Sequence, residues 1–171
     1  MVTIRDATSA DIPAIHAIYS HHVMHGLASF EEVPPTVEEM RSRFEAVVGG
    51  GKPYIVAEAH GRIAGYGYAS TYRPRTAYRY TVENSIYIDE RSRGQGVGTA
   101  LLEELVARCR RGPWRQMLAV IGDSGNVASI GVHHKAGFRQ VGLLERVGYK
   151  HGRWVDSVVM QLELSPADPD Q

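Results

Sequence analysis

The segment from Thr81 to Thr99 constrains this chain more than any other. It begins with alternating apolar and polar residues, which is the pattern of a half-buried strand. A basic turn with three glycines at alternate positions follows, and apolar residues then recur every four positions from Val97 to Cys109. The segment therefore predicts a strand, a glycine-rich turn and a helix, in that order.

This order predicts an anion-binding site at the start of the helix. The first amides of a helix have no partners inside it and carry the positive end of its dipole, so phosphate groups bind there readily. Gly94, Gly96 and Gly98 remove side chains where a phosphate approaches the backbone. Arg91 and Arg93 add positive charge beside it. A diphosphate is the ligand that this turn fits best.

Two common nucleotide-binding motifs do not match. A dinucleotide-binding fold has the spacing Gly-x-Gly-x-x-Gly near the start of its domain, whereas these glycines run Gly-x-Gly-x-Gly in mid-chain. A Walker loop requires Gly-Lys-Ser or Gly-Lys-Thr, which the chain lacks. The run Arg91-x-x-Gly94-x-Gly96 instead resembles the acetyl-coenzyme A (acetyl-CoA) loop of the GCN5-related N-acetyltransferases (GNAT).

The resemblance covers nearly the whole chain. Asn126 to Phe138 resembles a second signature of the superfamily. Three further runs are similar to the phosphinothricin and methionine sulfoximine acetyltransferases, namely Arg75 to Glu83, Ala119 to Gly122 and Gly148 to Trp154. The resemblance implies an acetyl-CoA-dependent N-acetyltransferase with an α/β (α+β) fold, in which helices cover both faces of one mixed, largely antiparallel sheet.

The composition fits one globular domain. A chain of 171 residues can bury one substantial core, so we assign residues 1–164 to a single acetyltransferase domain and expect a disordered tail at 165–171. The 19 basic residues balance the 19 acidic ones, which indicates neither a nucleic-acid partner nor a membrane surface. The single cysteine cannot form an internal disulfide, and the chain has no apolar leader, so we expect a cytoplasmic protein.

Periodicity and turn residues predict the other elements. Strands are expected at 2–5, 54–58, 62–70, 116–121, 138–144 and 154–164, and helices after a cap at Thr8 or Ser9, after a cap at Thr36 and at 126–135. We expect tight turns at His60-Gly61 and within Tyr149 to Arg153. Cys109 lies on the apolar side of the helix that follows the glycine turn, so we interpret it as a core residue and not a nucleophile.

Histidines cluster near the N-terminus, at His16, His21, His22 and His25. A metal site is one interpretation. His21 and His25, however, have no carboxylate or cysteine beside them in a ligand pattern, so a polar helix surface or a cofactor-free wall is preferred and no metal is expected.

The loop before the central strand carries the residues that we expect to hold the acceptor amine. Arg73 and Arg75 flank a proline, and their guanidinium groups match a carboxylate or a phosphinate. Solvated surface charge is the alternative. Phe30 is either a core aromatic residue or, as the resemblance implies, a wall of the acceptor pocket. The central strand supplies the other candidates, Glu83, Asn84 and Ser85.

Acetyl transfer from a thioester to an amine needs a base, because most amines are protonated at pH 7. Glu83 is the candidate, since its strand leads into the glycine turn. A free glutamate is a weak base unless burial raises its pKa, and fixing the arginine loop is an alternative role. His133 stands where many relatives have tyrosine, and it either protonates the leaving thiolate or packs within its helix. The transfer is expected to be direct, without a metal or a covalent enzyme intermediate.

The resemblance also implies the contacts to the co-substrate. The backbone of Ile86, Tyr87 and Ile88 would meet the pantetheine arm like a neighbouring strand. Asn126 either binds this arm or caps its own helix, and Lys135 either reaches the phosphates or is surface charge. The glycine turn supplies the other candidates, Arg91, Arg93, Gly94, Gln95, Gly96, Val97, Gly98 and Thr99.

Several functions stay open at this point. The first is acetylation of a small-molecule amine, the α-amino group of an amino acid or an analogue such as phosphinothricin or methionine sulfoximine. A peptide N-terminus, lysine, polyamine or aminoglycoside is a second acceptor class, although Arg73 and Arg75 would repel large cations. A coenzyme-binding module without catalysis is a third possibility, against which Glu83 argues. The resemblance further implies a homodimer, with Phe30 near the subunit junction.

Overall fold

A computed structural model describes residues 1–165 of the chain. In chain order the helices of that part are α1 (Ile12–His25), α2 (Val37–Gly49), α3 (Val97–Arg110) and α4 (Val127–Lys135). The strands are β1 (Thr3–Asp6), β2 (Tyr54–Ala59), β3 (Arg62–Thr71), β4 (Thr81–Ile88), β5 (Gln116–Gly122), β6 (Arg139–Lys150) and β7 (Arg153–Glu163). The predicted disordered tail lies outside the described residues, apart from Ser165, whose hydroxyl accepts a hydrogen bond from Arg115 at 2.9 Å.

The strands form one sheet in the order β1-β2-β3-β4-β5-β7-β6. Every neighbouring pair is antiparallel except β4 and β5, which are parallel. One face packs against α3 through a core that includes Leu101, Leu105 and Met117. The other face packs against α1 and α2, around Ile15 and Phe44. A mixed, largely antiparallel sheet with helices on both faces is therefore confirmed.

The helix starts follow local chemistry. Thr36 Oγ1 accepts a hydrogen bond from Glu39 N at 3.1 Å, as the cap predicted for α2. The start predicted for α1 at Thr8 or Ser9 is wrong, because a short 3₁₀ turn at Ser9–Asp11 comes first. Pro13 then lies in the first turn of α1, where its missing N–H leaves no helical hydrogen bond unmade.

The β2–β3 and β6–β7 hairpins each close with two residues at positive φ, as in a type I′ turn. His60 and Gly61 have φ of 52° and 72°, and this turn was predicted. His151 and Gly152 have φ of 50° and 73°, so the second turn is shorter than predicted. The predicted end of β6 at residue 144 is also wrong, because the strand continues to Lys150. Its pairing with β7 is irregular between Leu144 and Gly148.

The two parallel strands separate soon after they meet. Their ladder joins residues 81–83 of β4 to residues 116–118 of β5, and its last pair is Glu83 with Leu118. Just beyond that pair, Asn84 Nδ2 donates to Leu118 O at 3.3 Å. The divergence leaves an opening in the middle of the sheet, called here the β4–β5 cleft.

Candidate active site

The β4–β5 cleft is a cavity that is open to solvent. Residues 84–87 of β4 line one side and residues 119–122 of β5 line the other. Asn126, Ser129 and His133 contribute from the α4 region, and Ala28 contributes from the loop between α1 and α2. The cleft thus brings together Asn84, Ile86, Tyr87, Asn126 and His133, which were chosen from separate parts of the sequence.

The glycine turn lies between β4 and α3, as expected. Gly94 and Gly96 have φ of 73° and 78°, and a Cβ at either position would meet open space. The left-handed backbone, and not crowding by the protein, therefore requires glycine at these two positions. Gly98 is different, because it lies inside α3 and a Cβ there would be 3.8 Å from Ile88. The first amides of α3 have no acceptor within the helix, so a phosphate fits against them.

The arginines of the turn differ in their surroundings. Arg91 binds Asp89 through Nε at 3.0 Å and Nη2 at 2.9 Å, and this arginine is the largest cause of a pKa of about 2 for Asp89. Gln95 Nε2 donates to the carbonyl oxygen of Arg91 at 2.9 Å, which fixes the turn from inside. Part of the charge of Arg91 is therefore neutralised by Asp89, whereas Arg93 lines a second cavity.

That second cavity lies between the end of α1 and the glycine turn. It is lined by His21, His22, His25, Gly26, Glu90 and Arg93. His22 Nε2 donates to Ile88 O at 2.8 Å, and burial lowers the pKa of His22, so this histidine ties α1 to the end of β4. Of the two interpretations preferred above, a wall describes His22 better than a polar helix surface does. Among residues 1–165, no group of three or more His, Cys, Asp or Glu is arranged to hold a metal ion.

Alternation along β4 divides the predicted acceptor residues between the two faces of the sheet. Ile86 packs against the core beneath α3, and Tyr87 packs against the cluster beneath α1. Glu83 and Ser85 share the face of Tyr87, and Ser85 pairs with Tyr68 of β3. Asn84 lies on the opposite face, so the structure does not place its side chain beside Glu83 and Ser85.

Glu83 does not line the cleft itself but lies next to its closed end, in the last pair of the β4–β5 ladder. Its side chain is half-buried, and burial raises the pKa of its carboxyl group. Its charge also contributes to the raised pKa of Tyr68, a shift that is caused mainly by burial. These surroundings make Glu83 a stronger base than a free glutamate.

His133 is buried and both of its ring nitrogens face oxygen atoms. Nδ1 lies 2.8 Å from the carbonyl oxygen of Ser129, and Nε2 lies 3.0 Å from Asn84 Oδ1. Burial lowers the pKa of His133, which favours the neutral ring. A neutral imidazole has a single N–H, so it can donate to only one of these two oxygen acceptors. His133 also lines the cleft, and its role as a proton donor to the thiolate stays a prediction.

The arginine loop is exposed. The guanidinium of Arg73 lies 5.3 Å from the ring centre of Tyr72 and 5.9 Å from that of Tyr78. The carbonyl oxygen of Arg75 accepts a hydrogen bond from Tyr78 N at 2.9 Å, where the loop turns toward β4. Neither arginine lines the cleft. Their proposed clamp therefore stays a prediction.

Three other predicted residues have clear positions. Phe30 is 40% exposed, and its ring packs against Gly122 and Gly148, so both interpretations of this residue stay open. Cys109 is fully buried and burial raises its pKa to about 12, which confirms a core residue. Lys135 is exposed at the end of α4.

A polar network around the loop between α1 and α2 was not predicted. The hydroxyl of Tyr19 is hydrogen-bonded to Ser29 Oγ at 2.9 Å and to Glu31. Arg43 of α2 binds both carboxylate oxygens of Glu31, at 3.0 and 2.8 Å. From the far side, Lys150 Nζ donates to the carbonyl oxygen of Ser29 at 2.6 Å. Sequence patterns carry no signal for these contacts, because they join residues 10 to 121 positions apart, beyond the spacing of one helix turn or strand pair.

Comparisons with known proteins agree with this geometry. The family model described as an acetyltransferase (GNAT) domain matches residues 4–159. The chain is 55% identical to phosphinothricin N-acetyltransferase of Alcaligenes faecalis over 97% of this chain and 84% of that protein. It is 41% identical to an L-methionine sulfoximine/L-methionine sulfone acetyltransferase of Pseudomonas aeruginosa, over 96% and 95% of the two chains.

A solved structure has the same fold. The crystal structure of a GNAT superfamily phosphinothricin acetyltransferase from Sinorhizobium meliloti, in complex with acetyl-CoA, superposes with a TM-score of 0.93 and 47% sequence identity. The match covers 96% of this chain and 89% of that one. With a parallel pair of strands that separates before a glycine turn and a helix start, this chain belongs to the GNAT family of N-acetyltransferases.

Proposed function

We propose that this protein transfers the acetyl group of acetyl-CoA directly to the α-amino group of a small amino acid or amino-acid analogue of the phosphinothricin and methionine sulfoximine type. The relatives named above act on such compounds, and their identities of 55% and 41% extend over nearly the whole chain. The position of Glu83 next to the closed end of the β4–β5 cleft is the observation that carries the proposal.

The co-substrate is proposed to lie across the divergence of the two strands. Its diphosphate would bind the amides of Val97, Gly98 and Thr99 at the start of α3, where Gly94 and Gly96 leave the backbone open. The pantetheine arm would follow residues 86–88 of β4, of which Ile86 and Tyr87 line the cleft. This path leads from the glycine turn toward Glu83.

Glu83 is proposed as the general base. It removes a proton from the acceptor's ammonium group, directly or through a water, so that the neutral amine attacks the thioester carbonyl. The C–N bond forms, the C–S bond breaks and the thiolate takes up a proton. The raised pKa of Glu83 supports this role because it brings the base closer to neutral pH.

Arg73 and Arg75 are proposed to bind the acid group of the acceptor. Both guanidinium groups are exposed on the short segment that leads into β4. A forked pair of donors matches the carboxylate or the phosphinate of such an acceptor. Ser85, which pairs with Tyr68, and Phe30, which packs against Gly122 and Gly148, are proposed to line the acceptor site as well.

A thiol-release assay with a panel of amines tests the proposal. Phosphinothricin and methionine sulfoximine are expected to give kcat/KM values about tenfold or more above those of a lysine peptide or spermidine, because a charge-assisted clamp discriminates at that level. A preference for the peptide or the polyamine would support the other acceptor class. Calorimetric binding of acetyl-CoA without thiol release for any amine would support a binding module.

We further propose a homodimer that works in the cytoplasm. Apolar side chains are exposed on the outer β6–β7 hairpin, including Leu144 at 50%, Val147 at 56% and Trp154 at 62%. A second copy of the chain would cover them. Light scattering after size-exclusion chromatography should give twice the monomer mass, and a monomer mass would contradict the proposal. Within residues 1–165, no helix has both the length and the apolar character needed to cross a bilayer.

A further inference from the structure

The loop between α1 and α2 forms one wall of the β4–β5 cleft, and it lies very close to the strands. Ala28 lines the cleft itself. A Cβ on Gly122 of β5 would come within 2.3 Å of the carbonyl oxygen of Leu27, and a Cβ on Gly148 of β6 would come within 2.5 Å of the ring of Phe30. The loop backbone and the Phe30 ring therefore rest on two positions that have no side chain.

A buried positive charge lies beneath the same loop. Lys150, at the end of β6, is 1% exposed, and its Nζ donates to the carbonyl oxygen of Ser29 at 2.6 Å. Burial lowers the pKa of Lys150, while Glu32 and Glu31 on the loop act in the opposite direction. Burying an ammonium group is costly, and a methionine of similar length would fill the site without that cost. The charge therefore requires a reason beyond packing.

That reason lies in how the loop is held. Ser29 is bonded to Tyr19 of α1 through its side chain and to Lys150 of β6 through its carbonyl oxygen. Glu31, two residues further, is bound by Arg43 of α2. The loop is thus anchored from the helical side and from the strand side, and Lys150 supplies a strand-side anchor from 121 residues away.

We propose that Lys150 is a positioning residue for acceptor recognition. Through Ser29 it holds Leu27 to Phe30 against β5 and β6, which fixes the distance between this loop and the open end of the cleft. The inference rests on the proposed function, because it assigns the loop to the acceptor and not to acetyl-CoA. Lys150 itself does not contact the substrate in this role.

The test compares Lys150→Met with Lys52→Met, a matched loss of a lysine that does not line the cleft. Lys150→Met is expected to raise the acceptor KM about 10- to 100-fold, as for the loss of a hydrogen bond to a charged group, while the KM for acetyl-CoA stays within about twofold. Lys52→Met is expected to leave both values unchanged. Lys150→Arg, which retains a donor and the charge, should recover part of the acceptor KM. Equal rises in both KM values would overturn the proposal, because they indicate general damage.

A second measurement needs no acceptor. In Lys150→Met without substrates, the amides of residues 27–31 should exchange hydrogen faster than in the wild-type protein, while those of α3 keep their rates. Unchanged exchange in residues 27–31 would overturn the proposal. If no amine were acetylated, the proposed function would fail, and this measurement would still decide whether Lys150 holds the loop.

Gly148→Ala is an independent variant in case Lys150→Met does not fold. Its Cβ would displace the ring of Phe30 while leaving Lys150 in place. The acceptor KM should again rise by about tenfold or more with little change for acetyl-CoA, because a shift of about 1 Å in a positioning element is enough for such a loss. An unchanged acceptor KM in this variant would show that the loop position does not control acceptor binding.

Discussion

Replacing Glu83 with glutamine removes the proposed base while keeping the size of the side chain. A positioned general base contributes about 10²- to 10⁴-fold to a reaction rate, so Glu83→Gln is expected to lower kcat by about that factor. This loss corresponds to about 3–5 kcal/mol of activation free energy. Calorimetry should show an unchanged affinity for acetyl-CoA, because the carboxylate lies next to the closed end of the cleft and the glycine turn is intact.

Although Glu83→Gln is expected to lower kcat, it is expected to keep or raise the stability of the fold. Burial raises the pKa of Glu83 above 4.5, so the folded state favours the protonated carboxyl group. The free energy of unfolding therefore falls as the pH rises through that pKa. At pH 7 the ionised carboxylate is a cost that glutamine does not carry. Urea unfolding at pH 7 should give an equal or higher midpoint for Glu83→Gln.

The thiol-release assay at a series of pH values separates the loss of the base from the change in stability. In the wild-type protein kcat/KM should fall on the acidic side with an apparent pKa above 4.5, and this limb should vanish in Glu83→Gln. Glu103→Gln, at an exposed position of α3, is the matched control and should behave like the wild-type protein. A Glu83→Gln variant that keeps the wild-type kcat and its acidic limb would refute the assignment of the base.

Three further substitutions test separate parts of the structure. In steady-state kinetics Arg75→Lys should raise the acceptor KM by about tenfold and leave the KM for acetyl-CoA unchanged, because an ammonium group lacks the two parallel donors of a guanidinium group. An unchanged acceptor KM would contradict the proposal that Arg75 binds the acid group of the acceptor. Asp11→Asn should lower the free energy of unfolding at pH 7 by about 2 kcal/mol, since Arg5 holds the pKa of Asp11 at about 2 against 3.8. In the wild-type protein this contribution to stability is present above pH 3.8 and is lost as the pH falls to about 2. Urea midpoints that do not change between these two pH values would contradict the role of Asp11. Gly96→Ala should cost about 1–2 kcal/mol through its φ of 78° and weaken acetyl-CoA binding in calorimetry, and an unchanged affinity would argue against the diphosphate site.

Local patterns predicted most of the fold. The glycine turn and α3 follow from adjacent residues, and so does the turn at His60-Gly61, where both residues take positive φ. The errors arise where pairing is irregular. In β6, Arg146 has a φ of 53° and its N–H donates to Asp156 Oδ1 at 2.8 Å, so the strand loses the alternation that sequence analysis relies on.

The site was predictable along β4 and less so elsewhere. Alternation places Asn84 on the opposite face from Glu83 and Ser85, and this could have been deduced from sequence position alone. Lys150 could not, because a lysine beside a His-Gly turn normally predicts an exposed side chain. Its burial depends on Ser29, a residue 121 positions away.

The short ladder between β4 and β5 also has a mechanical consequence. The four strands on one side of this seam are joined to the three on the other by three residue pairs, by the side chain of Asn84, and by hydrogen bonds from Arg115 N and Gln116 N to Tyr80 O. Acetyl-CoA bound in this seam would contact both parts of the sheet and hold them together. A ligand that binds the folded state stabilises it, so the melting temperature should rise with the concentration of acetyl-CoA. The acetyl-CoA concentration in a cell would then also set the stability of this protein.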